Sequence, residues 1–311
     1  MHYSTVISCS HCSQGAFGIM NRPTYSGSLL SRISTLFKGS ESGSALFSPE
    51  HIAQRVKLPF VDFATPTLSI GWKNNLQFQH LFELPRSTLS GPVQADKEDA
   101  HALLAKLVTK VINTERIIDL RDIYGISQPL PEIETFKTLE ELAASAHCRH
   151  IRIISYRDFE KTITQAIPHF LSDQPINLVQ ASWLGEHLFW AEEKHSYAFA
   201  CAVVYARRRG LELPKRTYIS CYSVNTDVLQ TLHKNYHMLI MPDQAWSDRS
   251  FMAILLDSGS PYARLTLTKG PAPTEVLLLP KRKQLSNNLG TGLRLAGAYD
   301  AGEILLQQTK R

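Results

Sequence analysis

The sequence predicts an α/β (α+β) protein in which a mixed sheet is flanked by helices. Strand-like and helix-like segments alternate through the middle of the 311-residue chain, and its end is rich in short apolar runs. The first ninety residues are rich in Ser and Gly and follow neither period. We therefore expect an irregular, partly disordered N-terminal extension over residues 1–94 and one principal α/β domain over residues 95–311.

Helices are predicted where apolar residues recur every three or four positions. The segment "DKEDAHALLAKLVTKVIN", residues 96–113, keeps this spacing and carries acidic residues in its first turn. Thr138 and Glu141 form a capping-box pattern, and Asn225 or Thr226 is suited to an N-cap position. Helices are thus expected over 96–113, from 138, over 157–167, over about 195–209 and from 225 or 226.

Strands are predicted where short apolar runs are bounded by turn residues. Leu184 and Gly185 separate two such runs, which indicates a tight hairpin. The segment 279–292 combines a basic run with Asn and Gly and is interpreted as a solvated loop, with contact to a phosphate backbone as the alternative. The last ten residues fit either an edge strand or a helix. Strands are expected over 115–120, 150–155, 176–182, 186–191, 217–223, 237–241, 251–256, 263–268 and 275–280.

Composition narrows the class of protein. Hydrophobic residues make up 43% and charged residues 20% of the chain, which is ordinary for a globular protein. No apolar run approaches the roughly 18–20 residues that span a bilayer, and the N-terminus lacks the pattern of a secretory signal. Five cysteines, an odd number, argue for reduced thiols. We therefore expect a cytoplasmic protein with no membrane partner, and the net charge of +5 permits a polyanionic one.

The stretch "AEEKHSYAFACAVVYARRRG", residues 191–210, is the main candidate site. It predicts a helix whose small residues pack closely on a sheet, with a Gly suited to its C-terminal end. Lys194, His195 and Ser196 fall at the start of this helix, beside the positive end of its dipole, where phosphate binding is expected. The alternative is a buried helix with a capping His and a solvated basic tail.

A family resemblance bears on the same region. Residues 150–225 contain, in order, "HIRIISYRDFEKTITQAI", "QPINLVQAS" and "LGEHLFWAEEKHSYAFACAVVYARRRGLELP". This order resembles the ParB/sulfiredoxin-type domain, in which a strand, a hairpin and a signature helix meet nucleotide phosphates. The resemblance implies that Lys194, His195 and Ser196 form the phosphate-facing turn. Ser196 stands where the family has its key arginine, so the resemblance implies phosphate binding and not a particular reaction.

A second likeness concerns the type of protein. The chain is similar to a "W.G..yW…H…A" signature of phage and plasmid proteins at Trp183, Gly185, Phe189, Trp190, His195 and Ala198, and this likeness implies no activity. Together with the phosphate-facing turn, it leads us to predict a nucleotide- or nucleic-acid-binding protein of phage or plasmid type. The cofactor is left open, with a nucleoside triphosphate and Mg²⁺ as the first candidate. Further basic surface is expected from Arg207, Arg208, Arg209, Lys281, Arg282 and Lys283.

Two alternative functions remain. Cys148 lies between His147 and His150, which is the residue set of a cysteine-dependent hydrolase. A non-catalytic interaction protein would instead use the N-terminal segment to contact a protein partner. Cys9 and Cys12 have the spacing of a metal knuckle but lack a nearby second pair, so no metal site is predicted. Whether the protein is an enzyme is left open.

Overall fold

Helices and strands alternate along the residues that the computed structural model describes, which are 47–63, 65–127, 136–192, 194–269 and 273–308. All of them belong to the unit that spans Ser44–Arg311. The helices are α1 Pro49–Arg55, α2 Gln94–Leu104, α3 Leu139–Ala144, α4 Tyr156–Ala166, α5 Ser196–Arg209, α6 Thr226–Asn235, α7 Arg249–Asp257, α8 Gln284–Leu295 and α9 Ala301–Gln308. The strands are β1 Val108–Asp119, β2 Gly125–Ile126, β3 Ile176–Ala181, β4 Phe189–Trp190, β5 Pro214–Val224, β6 Tyr236–Met241, β7 Ala263–Thr268 and β8 Thr274–Pro280.

The strands form two sheets, and the predicted mixed α+β class is confirmed. The first sheet has the order β1-β5-β3-β4-β2. Strand β5 pairs antiparallel with β1 and parallel with β3, so this sheet is mixed. The second sheet has the order β6-β8-β7 and is antiparallel. In the described part of the chain, no helix has the length and apolar character that crossing a membrane requires.

Helices α3, α4 and α5 share one core with the first sheet. Helix α5 is buried along most of its length, and Phe199 stacks on Trp190 of β4 with ring centroids 4.1 Å apart. Burying a side chain of this size contributes about 1.5–3 kcal/mol. The adjacent Phe189 joins a smaller core with Trp72 and Leu184 on the other face of the sheet. Both residues of the short strand β4 are therefore buried and apolar.

The second sheet is covered on both faces. Met238 of β6 joins a core with α2, α6 and α9, whereas the adjacent Leu239 joins a core with α1, α7 and α8. Successive side chains of a strand point to opposite faces. This explains why all six residues of β6 are buried and why its sequence is apolar apart from His237.

One predicted helix is shorter than expected. The helix over 96–113 ends at Leu104, and β1 begins at Val108. Val111 and Ile112 therefore lie on a strand, where they are 54% and 58% exposed. Their β-branched side chains are stiff and suit a strand, and pairing with β5 fixes the choice. The strand predicted over 115–120 forms the second half of β1.

Three other predicted elements differ from the structure. Residues 150–155 form no strand, and Ile154 is 79% exposed. Residues 251–256 belong to helix α7 because a short, continuously apolar run fits either element, and Asp248 caps the helix. The segment 279–292 is the end of β8 and most of α8 rather than a loop. Near the end of the chain, Ala301–Gln308 form helix α9, one of the two predicted alternatives for this segment.

The predicted hairpin is present with a longer connection. Strands β3 and β4 pair antiparallel, but residues 182–188 link them through a 3-10 turn. Gly185 and Glu186 adopt positive φ angles of 69° and 60° there. The remaining predicted helices and strands are confirmed.

Strand β1 is an edge strand with an irregular centre. Its register with β5 shifts between Asn113 and Arg116, so β1 carries one residue more than its partner. Glu115 lies within the shift and has a φ of 32°. This is a β-bulge, which bends a strand and increases its twist.

Candidate functional site

A cleft of about 290 Å³ lies between the start of α5, helix α4 and the segment that precedes α4. We call it the basic cleft. Among the described residues, its charged lining side chains are Arg152, Lys161 and one carboxylate, Asp158. The complete lining is His150, Ile151, Arg152, Asp158, Lys161, Thr162, Gln165, His195, Tyr197 and Ala198.

Helix α4 forms one wall of the basic cleft. Asp158, Lys161 and Gln165 recur every three or four residues, so they share one helix face. The helix starts with a capping box, in which the Ser155 hydroxyl accepts from the Asp158 amide and the Asp158 carboxylate accepts from the Ser155 amide. Phe159 lies on the opposite face and is fully buried, which holds the polar face towards the cleft.

The carboxylate in the cleft is already hydrogen-bonded. Asp158 Oδ2 accepts from the hydroxyl of Ser155 at 2.8 Å and from the amide of Ile154 at 3.2 Å. The hydrogen bonds from Ser155 lower the pKa of Asp158 below its usual value, and the nearby Lys161 adds to this. The carboxylate of Asp158 is therefore used in the cap of α4, whereas the guanidinium of Arg152 and the ammonium of Lys161 face the cleft.

Helix α5 forms the opposite wall. It begins directly after His195, which has the left-handed backbone angles φ 59° and ψ 33°. This conformation costs a non-glycine residue about 1–2 kcal/mol. The turn places the exposed His195 side chain in the lining, whereas Ser196 is 2% exposed. The helix ends as predicted, with Gly210 in the left-handed conformation.

The structure brings together residues from two separate predictions. His195, the predicted phosphate contact, and His150, a candidate partner of Cys148, both line the basic cleft. The ring of His147 stacks on Tyr197 of α5, with centroids 5.8 Å apart. Lys194 is exposed beside the cleft but is not part of its lining.

Sequence reasoning missed Arg152 and Lys161. Lys161 could have been found from the capping box, which fixes the phase of α4 and therefore the residues that share a face with Asp158. Arg152 lies in a segment that was interpreted as a strand, and its sequence held no comparable signal.

The residues predicted as further basic surface have different surroundings. Arg208 and Arg209 are exposed at the end of α5, as is Lys283 near the start of α8. Arg207 is half-buried and donates to Glu140 and to two backbone carbonyls.

The other cations of that set, Lys281 and Arg282, also have partners. Lys281 Nζ donates to the carbonyl of His233 at 2.6 Å, and burial lowers the pKa of Lys281. Arg282 forms ion pairs with Asp96 and Asp99 at 2.6 and 2.9 Å. These contacts tie neighbouring elements together.

Cys148, the candidate nucleophile, is 2% exposed and does not line the basic cleft. Its side chain hydrogen-bonds with that of Cys201, which lowers the pKa of Cys148 and raises that of Cys201. A nucleophile must reach its substrate, so this arrangement favours the basic cleft over thiol chemistry. Cys9 and Cys12 lie outside the described residues. Within the described residues, no group of three or more His, Cys, Asp or Glu side chains could hold a metal ion.

The fold and the cleft first define a class: a mixed α+β protein with a cationic cleft at the start of a buried helix. Comparison with family models then matches residues 112–311 to DUF6685, a family of unknown function. The chain belongs to this family, and the matched range includes every residue that lines the basic cleft. No curated protein and no solved structure matches the chain.

Proposed function

We propose that the protein binds a phosphorylated ligand, a nucleotide or a nucleic-acid strand, in the basic cleft. The observation that carries this proposal is that His195, at the start of α5, shares one cleft with Arg152 and Lys161. Arginine and lysine are the side chains that most often bind phosphate. They would act beside the positive end of the dipole of a 14-residue helix.

The charge balance of the cleft supports an anionic ligand. Asp158 is the single carboxylate among the described lining residues, and its Oδ2 is engaged in the cap of α4. The volume of about 290 Å³ is at the small end of the range for ligand pockets. It fits a phosphate with its sugar, with Lys194 at the rim as a contact for a second phosphate.

The type of protein and its location in the cell are also part of this proposal. The resemblance to the ParB/sulfiredoxin-type domain and the phage or plasmid type would account for a phosphate site at this turn. A cytoplasmic location would give the cleft access to nucleotides and nucleic acid. A nucleoside triphosphate with Mg²⁺ is the first ligand to test.

The test is isothermal titration calorimetry with nucleoside triphosphates, with and without Mg²⁺, and with short single- and double-stranded DNA. Lys161→Gln is compared with Arg157→Gln, since both remove one positive charge from an exposed position of α4 and Arg157 does not line the cleft. We expect Lys161→Gln to weaken binding about tenfold or more, the effect of losing one charge-assisted hydrogen bond of about 1.5 kcal/mol. His195→Ala should also weaken it, and Arg157→Gln should leave it unchanged.

Two results would contradict the proposal. One is the absence of binding to every nucleotide and DNA tested. The other is an equal loss of affinity in Lys161→Gln and Arg157→Gln, which would mean that the ligand responds to the overall charge and not to the cleft. Steep salt dependence would identify a nucleic-acid strand rather than a single nucleotide as the ligand.

A further inference from the structure

A second cleft, with a volume of about 640 Å³, lies where the two sheets approach the segment 79–88. We call it the two-sheet cleft. It shares no lining residue with the basic cleft. Lys110 of β1 and Tyr222 of β5 line it from the first sheet, and Thr266 of β7 and Lys269 line it from the second.

The wall formed by the segment 79–88 is firmly held. Leu81 and Leu84 are buried in the core of the second sheet. The two ring nitrogens of His80 contact the carbonyl oxygens of Gln77 at 2.5 Å and of Thr266 at 3.2 Å. These contacts tie the segment to β7, so the cleft is formed before any ligand arrives.

Aromatic side chains give the cleft a flat apolar surface. The ring of Tyr222 is half-buried and is supported by Trp72, with centroids 6.4 Å apart. Phe82 lines the cleft from the segment 79–88 and is 38% exposed. Exposed aromatic rings around a preformed cleft are typical of sites for flat organic ligands.

Two lysines make the cleft cationic. The Lys110 ammonium lies 5.6 Å from the centroid of the Tyr222 ring. Within the described residues, neither Lys110 nor Lys269 forms an ion pair, whereas Arg264, on the same strand as Thr266, is paired with Glu275. Glu83 is the single carboxylate among the described lining residues and is exposed. A flat ligand with one negative charge would complement both the rings and the lysines.

We propose that the two-sheet cleft is a second binding site, which takes a flat organic anion. The apolar body of the ligand lies against Tyr222 and Phe82, and its carboxylate, sulfonate or phosphate group faces Lys110 and Lys269. This site is independent of phosphate binding in the basic cleft.

The probe for this site is 8-anilinonaphthalene-1-sulfonate, an aromatic sulfonate with a flat naphthalene ring, whose fluorescence rises when its rings leave water. We expect saturable 1:1 binding to the full chain. Lys110→Gln combined with Lys269→Gln should weaken binding at least tenfold. The control pair Lys73→Gln with Lys106→Gln removes the same charge from exposed positions outside the cleft and should leave the affinity unchanged.

Two further measurements identify the site. N-phenyl-1-naphthylamine, which has the rings without the sulfonate, should bind the wild type and the Lys110/Lys269 variant equally. Lys161→Gln, in the basic cleft, should leave sulfonate binding unchanged, which separates this proposal from the function proposed above. In the wild type, the probe should shift the amide NMR signals of Thr88 and Thr266, a result that needs no variant to fold.

The proposal is overturned if the probe does not saturate, if the control pair weakens binding as much as the cleft pair does, or if the signals of Thr88 and Thr266 do not move.

Discussion

Arg207 is expected to stabilise the fold although its sequence context resembles a solvated basic tail. Its Nη1 donates to Glu140 Oε1 at 2.8 Å, its Nη2 to the Ile123 carbonyl at 2.7 Å and its Nε to the Arg121 carbonyl at 2.9 Å. These bonds connect the end of α5 to α3 and to the turn after β1. Arg207→Ala removes all three donors and leaves two backbone carbonyls without this partner.

The expected loss in the free energy of unfolding depends on how exposed Arg207 and its partners are. A hydrogen bond from a charged donor contributes about 1.5–3 kcal/mol. The side chains of Arg207 and Glu140 are 28% and 41% exposed, so the ion pair itself contributes only about 0–1 kcal/mol. Water can also reach part of the vacated space. We therefore expect Arg207→Ala to lower the free energy of unfolding by about 2 kcal/mol.

The assay is urea unfolding followed by far-UV circular dichroism. With a slope of about 2–3 kcal/mol per molar urea, the midpoint for Arg207→Ala should fall by about 0.7–1 M. Arg208→Ala is the matched control, because the adjacent Arg208 is exposed, and it should change stability by no more than about 0.5 kcal/mol. Arg207→Lys should be intermediate, since lysine keeps the charge but not the planar fork. Equal midpoints for Arg207→Ala and Arg208→Ala would refute this reasoning.

Three further perturbations test other parts of the structure by the same unfolding assay. Gly290→Ala should cost about 1–3 kcal/mol, because its Cβ would lie 2.3 Å from Cδ2 of His237. In a His237→Ala background, Gly290→Ala should be neutral or stabilising, since alanine favours a helix. An equal loss of stability in both backgrounds would contradict a clash between the new Cβ and the His237 ring. Asp248→Ala should cost about 1 kcal/mol, because its carboxylate caps α7 with a hydrogen bond of 2.7 Å, and no loss would count against that helix start. Hydrogen bonds lower the pKa of Asp158 from its usual 3.8, so the stability that its carboxylate contributes is present above about pH 4 and is lost as the pH falls towards the lowered value. The difference in midpoint between wild type and Asp158→Asn should therefore shrink between pH 6 and pH 3, and a constant difference would argue against the cap.

The starts of α3 and α6 were predictable because their capping chemistry is local. Thr138 accepts a hydrogen bond from the Glu141 amide at 3.1 Å, three residues along the chain. Asn225 accepts from the amides of Asp227 and Val228, both at 3.2 Å. Such patterns depend on a few neighbouring residues, so the sequence contains all the information they need.

The change from α2 to β1 could not be predicted in the same way. The apolar spacing that begins in α2 continues through Val111 and Ile112 and fits a helix. What decides the conformation is pairing with β5, in which Val111 lies opposite Cys221. The partner is about a hundred residues away, and no local pattern indicates it.

The candidate site was predictable in part for the same reason. His195 was found because the start of α5 is marked by local residues. Its neighbours Arg152 and Lys161 join it only when α4 packs against α5. The surroundings of Arg207 could not be predicted. Its local sequence indicates a solvated cation, but its partners at Arg121 and Ile123 precede it by more than eighty residues.

The bulge in β1 has a consequence for how copies of the protein behave in concentrated solution. The outer edges of β2, β6 and β7 each meet a bridging residue from another part of the chain, whereas β1 has none among the described residues. If β1 were straight, its exposed Val111, Ile112 and Ile117 would favour pairing of its free edge with a strand of another molecule. The extra residue and the charged Glu115 interrupt that edge at its centre. We therefore expect the bulge to hinder edge-to-edge pairing of two molecules, and deleting one residue from it should favour aggregation.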